Sequence, residues 1–328
     1  MVASSPGIPI ALAPLQAYGI PFTPLFVVLM VLAAAVVGLV AGLLVYIVTR
    51  FRGGPNAPIP RQEHGNRRLE IAWTVAPSVV VAGLLGTTIV VMSNGPTPGS
   101  GLPQDRRDPD IVVVGHQWWW EIRYPKQGVV TANEVYLPAG QLLLVQLESA
   151  DVQHAFWVPP LGQKMDMYPG KINHLWLDMR EKAPGDYQGV CAEFCGTQHA
   201  WMRILAIVVP QAEFDTWIEE QRASTQPPAA FGERGPDPIT SGSQLFTQYG
   251  CGTCHAIAGT EHAGQAAPAL TNYRARRTIS AGVLPHTPEN LARYLHDPHE
   301  VKPGVLMPNF RLKDWEVQAL VAYLESLR

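Results

Sequence analysis

The stretch "GVCAEFCGTQHAWM", residues 189–202, places two cysteines, a histidine and a methionine in the twelve positions from Cys191 to Met202. Cys191, Cys195, His199 and Met202 follow one another at intervals of four, four and three. Thiolate and thioether donors select soft metals, and imidazole suits copper as well, so the set is a candidate copper site. His154 in "DVQHAFWVPP" (151–160) sits just before a rigid aromatic-proline segment and offers a further ligand. Three other uses stay open on spacing alone. Cys191 and Cys195 form a disulfide, which is permitted outside the cytoplasm. The set binds structural zinc through two Cys and two His. Or His199 and Met202 are ordinary surface and core residues.

Working outward, a second sulfur-rich motif is "CGTCH" at 251–255. The four cysteines, 191, 195, 251 and 254, all fall in these two clusters, which points to metal or cofactor chemistry rather than a disulfide framework. C-x-x-C-H is the pattern of covalent haem attachment, with zinc or a disulfide as the alternatives. After residue 235 the chain has a single methionine, Met307, in "VKPGVLMPNF" (301–310). A Met axial partner is what a high-potential haem carrier uses. His262, His286, His296 and His299 are alternative ligands, but none lies in such a Pro-framed loop.

On the N-terminal side, residues 1–49 carry no charge, and 25–49 form an unbroken apolar run long enough to cross a bilayer core as a helix. Residues 71–92 form a second run of about 33 Å at helical rise, with Pro77 expected to kink it. The alternative is a pair of buried core helices. Between the runs, Arg50 to Arg68 holds five arginines against one acid, Glu63, which places that loop in the cytoplasm and both termini outside. The N-terminus lacks the positive start of a secretory signal peptide. The net charge of −3, with 11 basic against 17 acidic residues from 93 to 235, offers no basic face for nucleic acid.

Past Met92 a turn-rich segment leads into short β-rich runs, "DIVVVGHQWWWEIRYP", "EVYLPAGQLLLVQLES", "HLWLDMR" and "MRILAIVVP", whose spacing predicts a small antiparallel sandwich or barrel. "QAEFDTWIEEQRA" reads as a closing amphipathic helix. The Pro-, Gly- and Ser-rich segment 222–243 reads as a flexible linker on which the last domain swings. Beyond it the pattern turns helical. The sequence therefore divides into an N-terminal segment 1–24, a transmembrane hairpin 25–92, a β domain 93–221, the linker 222–243 and a helical domain 244–328.

"DVQHAFWVPPLGQKMDMYPGKINHLWL" (151–177) followed by "PGDYQGVCAEFCGTQHAWM" (184–202) resembles the binuclear copper domain of the cytochrome c oxidase subunit II family, and the likeness runs from about residue 20 to 220. The resemblance implies a cupredoxin-like sandwich with a copper A pair bridged by Cys191 and Cys195. His154 and His199 would each bind one copper, Met202 would be a weak axial ligand of one, and the Glu193 carbonyl of the other. "GHQWWWEIRYP" (115–125) resembles the family's aromatic segment, making Trp118 the electron-entry residue; alternation puts Trp118 and Trp120 on one strand face. "HGNRRLEIAWTVAPS" (64–78) likewise makes Glu70 the entry of a proton path in subunit I, and the Glu193 carboxylate a ligand for magnesium at that interface. Without the family, aromatic packing and a snorkelling acid are the simpler readings of Trp118 and Glu70.

The last domain is similar to class I cytochrome c. That implies thioether bonds from Cys251 and Cys254, with His255 and Met307 as the axial ligands of haem c. Asp314 is expected to cap a final helix whose apolar face is Trp315, Leu320, Tyr323 and Leu324. Together these resemblances imply subunit II of a caa-type oxidase, a multidomain protein of the bacterial inner membrane with its copper and haem domains outside. It would pass electrons from a cytochrome or other respiratory donor through haem c and copper A to subunit I, with subunit III alongside. Oxygen reduction and proton pumping would follow there, with no bond chemistry on this chain. The alternatives are the electron-entry subunit of a copper A nitric oxide reductase, and a membrane-tethered copper-binding module.

Overall fold

The structure, a computed structural model, describes residues 22–54, 62, 65–94, 108–223 and 237–327. Most of the 1–24 segment and the central part of the 222–243 linker lie outside the described residues. The chain divides into two units, Met1–Pro103 and Gln104–Arg328.

The first unit contains α1 (Phe22–Arg50) and α2 (Arg67–Asn94). Their apolar side chains are exposed all round, among them Val37, Leu43, Ile47, Val79, Val81 and Leu85. A helix apolar on every face needs an apolar surrounding. Spans of 25 and 24 residues suit a bilayer, and they carry none of the burial that core helices of a soluble domain would show. Asn66 caps α2, its side-chain oxygen accepting from the Arg68 and Leu69 amides at 3.1 and 3.3 Å. The helix continues through Pro77. Thr74 and Ser78 donate to carbonyls four residues back, at 2.8 and 2.7 Å, the kind of side-chain help that Pro-containing membrane helices use.

In the second unit the chain forms β1 (Ile111–His116), β2 (Trp119–Tyr124), β3 (Val129–Ala132), β4 (Glu134–Pro138) and β5 (Leu142–Ser149). It continues with β6 (His154–Trp157), β7 (Met165–Met167), β8 (Asn173–Asp178), β9 (Gly185–Cys191) and β10 (Arg203–Val209), closed by α3 (Gln211–Ala223). Two five-stranded sheets result, ordered β3-β2-β1-β5-β8 and β4-β10-β9-β6-β7. They are mostly antiparallel, but β1 runs parallel to β5 and β4 to β10. Inward side chains such as Val113, Ile122, Leu147, Phe156, Leu175 and Ile204 make one core between the sheets. Phe214, Trp217 and Ile218 of α3 extend it, with Trp217 stacked on Tyr136 at 4.2 Å.

The tryptophan run is not one strand. Gln117 and Trp118 form the turn between β1 and β2, so only Trp119 and Trp120 alternate across the sheet. Trp118 is thereby released from the pleat and reaches sideways. Gly115 lets β1 lie against the His154 ring: a Cβ there would come within 2.8 Å of its Cδ2 atom.

The remaining elements are α4 (Pro238–Gln248), a short ribbon of β11 (Thr278–Ile279) and β12 (Leu284–Pro285), α5 (Pro288–His296), α6 (Pro298–Val301) and α7 (Asp314–Ser326). They enclose a separate core that includes Phe246, Leu291, Leu320, Tyr323 and Leu324. Two details of α7 differ from expectation. Its N-terminus is closed not by Asp314 but by Glu316, whose carboxylate accepts from the Lys313 amide at 2.7 Å. Trp315 is 58% exposed rather than part of the apolar face, because at about 100° per residue it lies on the side of α7 away from Leu320 and Leu324. The helical domain does not hang free: both cores belong to one unit, and its segments 276–282 and 302–304 touch the sandwich.

Candidate metal centre and haem pocket

β6 delivers His154, the end of β9 delivers Cys191, and the loop from there to β10 carries Cys195, His199 and Met202. Cys191, Cys195, His154 and Met202 are all buried. The two sulfur atoms are 3.8 Å apart, far beyond the ~2.05 Å of a disulfide, and both thiols are free. The cluster falls into two matched halves. Cys191 Sγ has His154 Nδ1 at 3.9 Å and the Glu193 carbonyl at 3.2 Å. Cys195 Sγ has His199 Nδ1 at 3.6 Å and Met202 Sδ at 3.8 Å. Two thiols, two imidazoles, a thioether and a carbonyl in a buried loop form a donor set that fits soft copper better than a tetrahedral zinc.

The surroundings fix the donors in place. Asp151 Oδ1 lies 2.8 Å from His154 Nε2, which leaves Nδ1 turned toward Cys191. Burial opposes charge on Asp151, but His154 and the Val152 and Gln117 amides outweigh it and hold the carboxyl below its usual range. The Cys191–Cys195 hydrogen bond, against burial and with help from His154, holds the Cys191 thiol below its usual range, while the same contact pushes Cys195 up. Trp118 Nε1 and Gln117 Nε2 both donate to the Cys195 carbonyl, at 2.9 and 2.8 Å. The outer face of the loop carries Phe194, 74% exposed.

The second motif opens into a cavity of about 530 Å³, lined by Cys251, Cys254, His255, Met307, Tyr294 and Arg276 among others. His255 Nδ1 faces the Pro268 carbonyl at 2.7 Å, which fixes the tautomer and frees Nε2 for a metal. Burial lowers its pKa and keeps the ring neutral. His262, His286, His296 and His299 do not line the cavity; Met307 does. Two buried polar atoms at its wall, Arg276 Nε and Ser280 Oγ, have no hydrogen-bond partner among the described residues. A large apolar cavity with two attachment thiols, an oriented histidine and a buried guanidinium with one free N–H fits a haem with its propionates. Part of its wall is supplied by Trp118 and Trp119 of the sandwich.

Glu70 lies exposed in the first turn of α2, where an acid suits the helix dipole. Of Glu193 only the carbonyl approaches the sulfur cluster. Sequence reasoning missed Asp151, Gln117 and Arg276. Asp151 was open to discovery, because an acid three residues before a candidate ligand histidine is the usual outer-shell partner. Gln117 and Arg276 carry no such signal.

A membrane hairpin, a two-sheet sandwich with a buried sulfur–imidazole cluster and a helical domain with a C-x-x-C-H cavity define a class: a membrane-anchored electron-transfer protein. Family models narrow it. The transmembrane domain of cytochrome c oxidase subunit II matches residues 21–86, its periplasmic domain 126–209, and cytochrome c 239–328. Cytochrome c oxidase subunit 2 of Alkalihalophilus pseudofirmus is 36% identical over 313 residues, covering 92% of this chain and 86% of its own. That of Bacillus sp. strain PS3 is 33% identical over 291 residues, covering 85% and 80%. A solved periplasmic domain of subunit II from Bradyrhizobium japonicum is 32% identical over 36% of this chain and 96% of its own, with a TM-score of 0.34. The chain belongs to the cytochrome c oxidase subunit II family, in a form that carries its own cytochrome c domain. Membership implies copper A, haem c, subunit I as partner, and an electron-transfer role within the oxidase.

Proposed function

We propose that the chain takes electrons at a haem c held by Cys251, Cys254, His255 and Met307 and passes them through copper A to the haem of subunit I, where oxygen is reduced and protons are pumped. The observation that carries this reading is the division of the sulfur cluster into two matched halves, each thiol with its own imidazole and its own weaker donor. Cys191 and Cys195 would be the main ligands of the copper pair, with the His154 and His199 imidazoles, the Met202 thioether and the Glu193 carbonyl completing its donor set. When bound, these groups supply one-electron exchange with little ligand rearrangement; the chain makes no bond in a substrate.

The protein residues hold geometry and exclude water. Asp151 locks His154, and Pro268 locks His255. Trp118 links the two sites, since its ring lines the haem cavity and its Nε1–H donates to the Cys195 carbonyl. We assign it the electron-entry role. The reading also includes an outward-facing pair of redox domains separated near 222–243, on the bacterial inner membrane. Glu70 would serve as the proton-path entry and the Glu193 carboxylate as a magnesium ligand at the subunit I face, with subunit III and a respiratory donor as further partners.

Carrying both centres on one chain replaces encounter with an effective concentration in about the millimolar range. After a light pulse reduces haem c, its reoxidation should be first-order, independent of protein concentration and matched by copper A reduction. A rate that scales with concentration would refute the reading. Trp118→Phe should slow this step roughly tenfold or more, since it deletes the Cys195 contact. Copper and haem contents should stay unchanged. An unaltered rate would remove Trp118 from the path.

A further inference from the structure

Glu134 opens β4 and is 3% exposed, in a strand otherwise made of Val, Tyr, Leu and Pro. A buried carboxylate is costly unless it is hydrogen-bonded. Among the described residues, its hydrogen-bond donors all come from the cytochrome c domain, more than 140 positions away in sequence. Glu134 Oε1 accepts from the Thr278 amide at 2.7 Å, the Thr278 hydroxyl at 2.8 Å and the Arg277 amide at 2.9 Å; Oε2 accepts from the Arg277 amide at 3.2 Å. The carboxylate therefore ties down two successive backbone amides of the other domain.

Neighbouring contacts follow the same line. Arg277 pairs with Asp186 of β9 at 2.6 Å and lies over the Tyr136 ring of β4 at 6.0 Å. The Arg203 amide of β10 donates to the Ala281 carbonyl at 3.2 Å. Gly282, at φ +75°, approaches Arg203 so closely that a Cβ would meet its Cβ at 3.1 Å. Ala281 packs on Trp119 and Ala132. At the far end of the contact, buried Lys302 donates to the Trp118 carbonyl at 3.0 Å, and the Gln198 amide donates to the Pro303 carbonyl. The first group pins the strand beside the haem cavity, and the second pins the Met307 loop beside the copper loop.

We infer that Glu134 is a docking clasp: it fixes the cytochrome c domain on the sandwich in the one register that sets the haem cavity against Trp118 and Trp119. The inference rests on the electron-transfer reading above and adds a positioning residue to it. The redox partner that this sandwich face accepts is thus the chain's own last domain, and the face is occupied. Without that domain the carboxylate would face water, so both its burial and its need for the Arg277 and Thr278 donors belong to the docked arrangement.

The test uses the full chain loaded with both cofactors, comparing wild type with Glu134→Ala and Glu134→Gln. Copper content, haem content and both absorption spectra report that the sites remain built. Two readings then separate the claims: hydrogen exchange at the Arg277 and Thr278 amides, and the rate from haem to copper. In Glu134→Ala the two amides should exchange at least a hundredfold faster and the rate should fall at least tenfold. Glu134→Gln, which keeps one acceptor oxygen without the charge, should fall in between. Unchanged exchange would overturn the clasp, and faster exchange with an unchanged rate would overturn its positioning role. If wild type itself shows no haem-to-copper step, the electron-transfer reading fails while amide exchange still tests the clasp. Should Glu134→Ala not accumulate, Thr278→Val removes the hydroxyl donor from the opposite side while keeping both amides, so its reading is the haem-to-copper rate, which should fall; an unchanged rate would overturn the positioning role.

Discussion

Replacing Cys195 with serine should strip the sandwich of copper, from about two ions per chain to fewer than one, while the haem absorption stays as in wild type. The size of the effect follows from its position. Cys195 Sγ lies at the join of the two halves, 3.8 Å from Cys191 Sγ, 3.6 Å from His199 Nδ1 and 3.8 Å from Met202 Sδ. A serine hydroxyl is a hard donor that stays protonated, so it cannot bridge two soft metals. Copper bound only at His154 and Cys191 would have half a ligand set. Met202→Leu provides the contrast, since it removes one weak donor and leaves both thiols. Copper should be retained there with an altered spectrum. Metal analysis and absorption spectra of the two variants check both statements. Full copper in Cys195→Ser would contradict the bridging role.

Met307→His should lower the reduction potential of the haem by on the order of 100 mV or more, without loss of haem. A thioether favours the reduced iron, whereas a second imidazole favours the oxidised form. Attachment is unaffected, because Cys251 and Cys254 are untouched. The substitution tests the axial assignment against the other histidines of the domain. If His262, His286, His296 or His299 were the sixth ligand, changing Met307 would leave the potential nearly unmoved. A redox titration of the haem band gives the answer. An unshifted potential would take Met307 out of the axial position.

Much of this architecture is written in local sequence. The two spans could be read because a bilayer-length helix needs a charge-free apolar run, and 25–49 and 71–92 stand out in composition alone. The structural helices start and end a few residues beyond these runs, at capping positions such as Asn66. Sulfur-rich motifs were equally legible, since ligands that close on one metal pair crowd into one loop. Only His154 had to come from another strand.

Other features depend on contacts distant in sequence. "DIVVVGHQWWWEIRYP" reads as one long strand, and nothing in its alternation marks Gln117 and Trp118 as a turn. Asp314 looked like a helix cap by residue type, yet Glu316 takes that role by folding back on the Lys313 amide. Trp315 is apolar like Leu320, Tyr323 and Leu324, but at about 100° per residue it lies roughly opposite Leu324 on α7, so it stays exposed. The docking of the last domain was the largest departure from expectation. Composition of 222–243 reads as a flexible tether and favours a swinging domain. What opposes it is Glu134, whose donors lie far along the chain, and no local pattern joins an acid in a β-strand to amides at 277 and 278.

The central claim is that one chain carries two redox sites, a copper pair and a single haem. Its most direct test is the copper-to-iron ratio of a fragment spanning the unit Gln104–Arg328, matured where haem can be attached and copper supplied. Omitting the membrane hairpin keeps the metals of partner subunits out of the measurement. About two coppers per iron is the result expected from the paired halves of the Cys191–Met202 cluster. A ratio near zero would contradict it, leaving a tethered cytochrome beside a cluster that holds no copper.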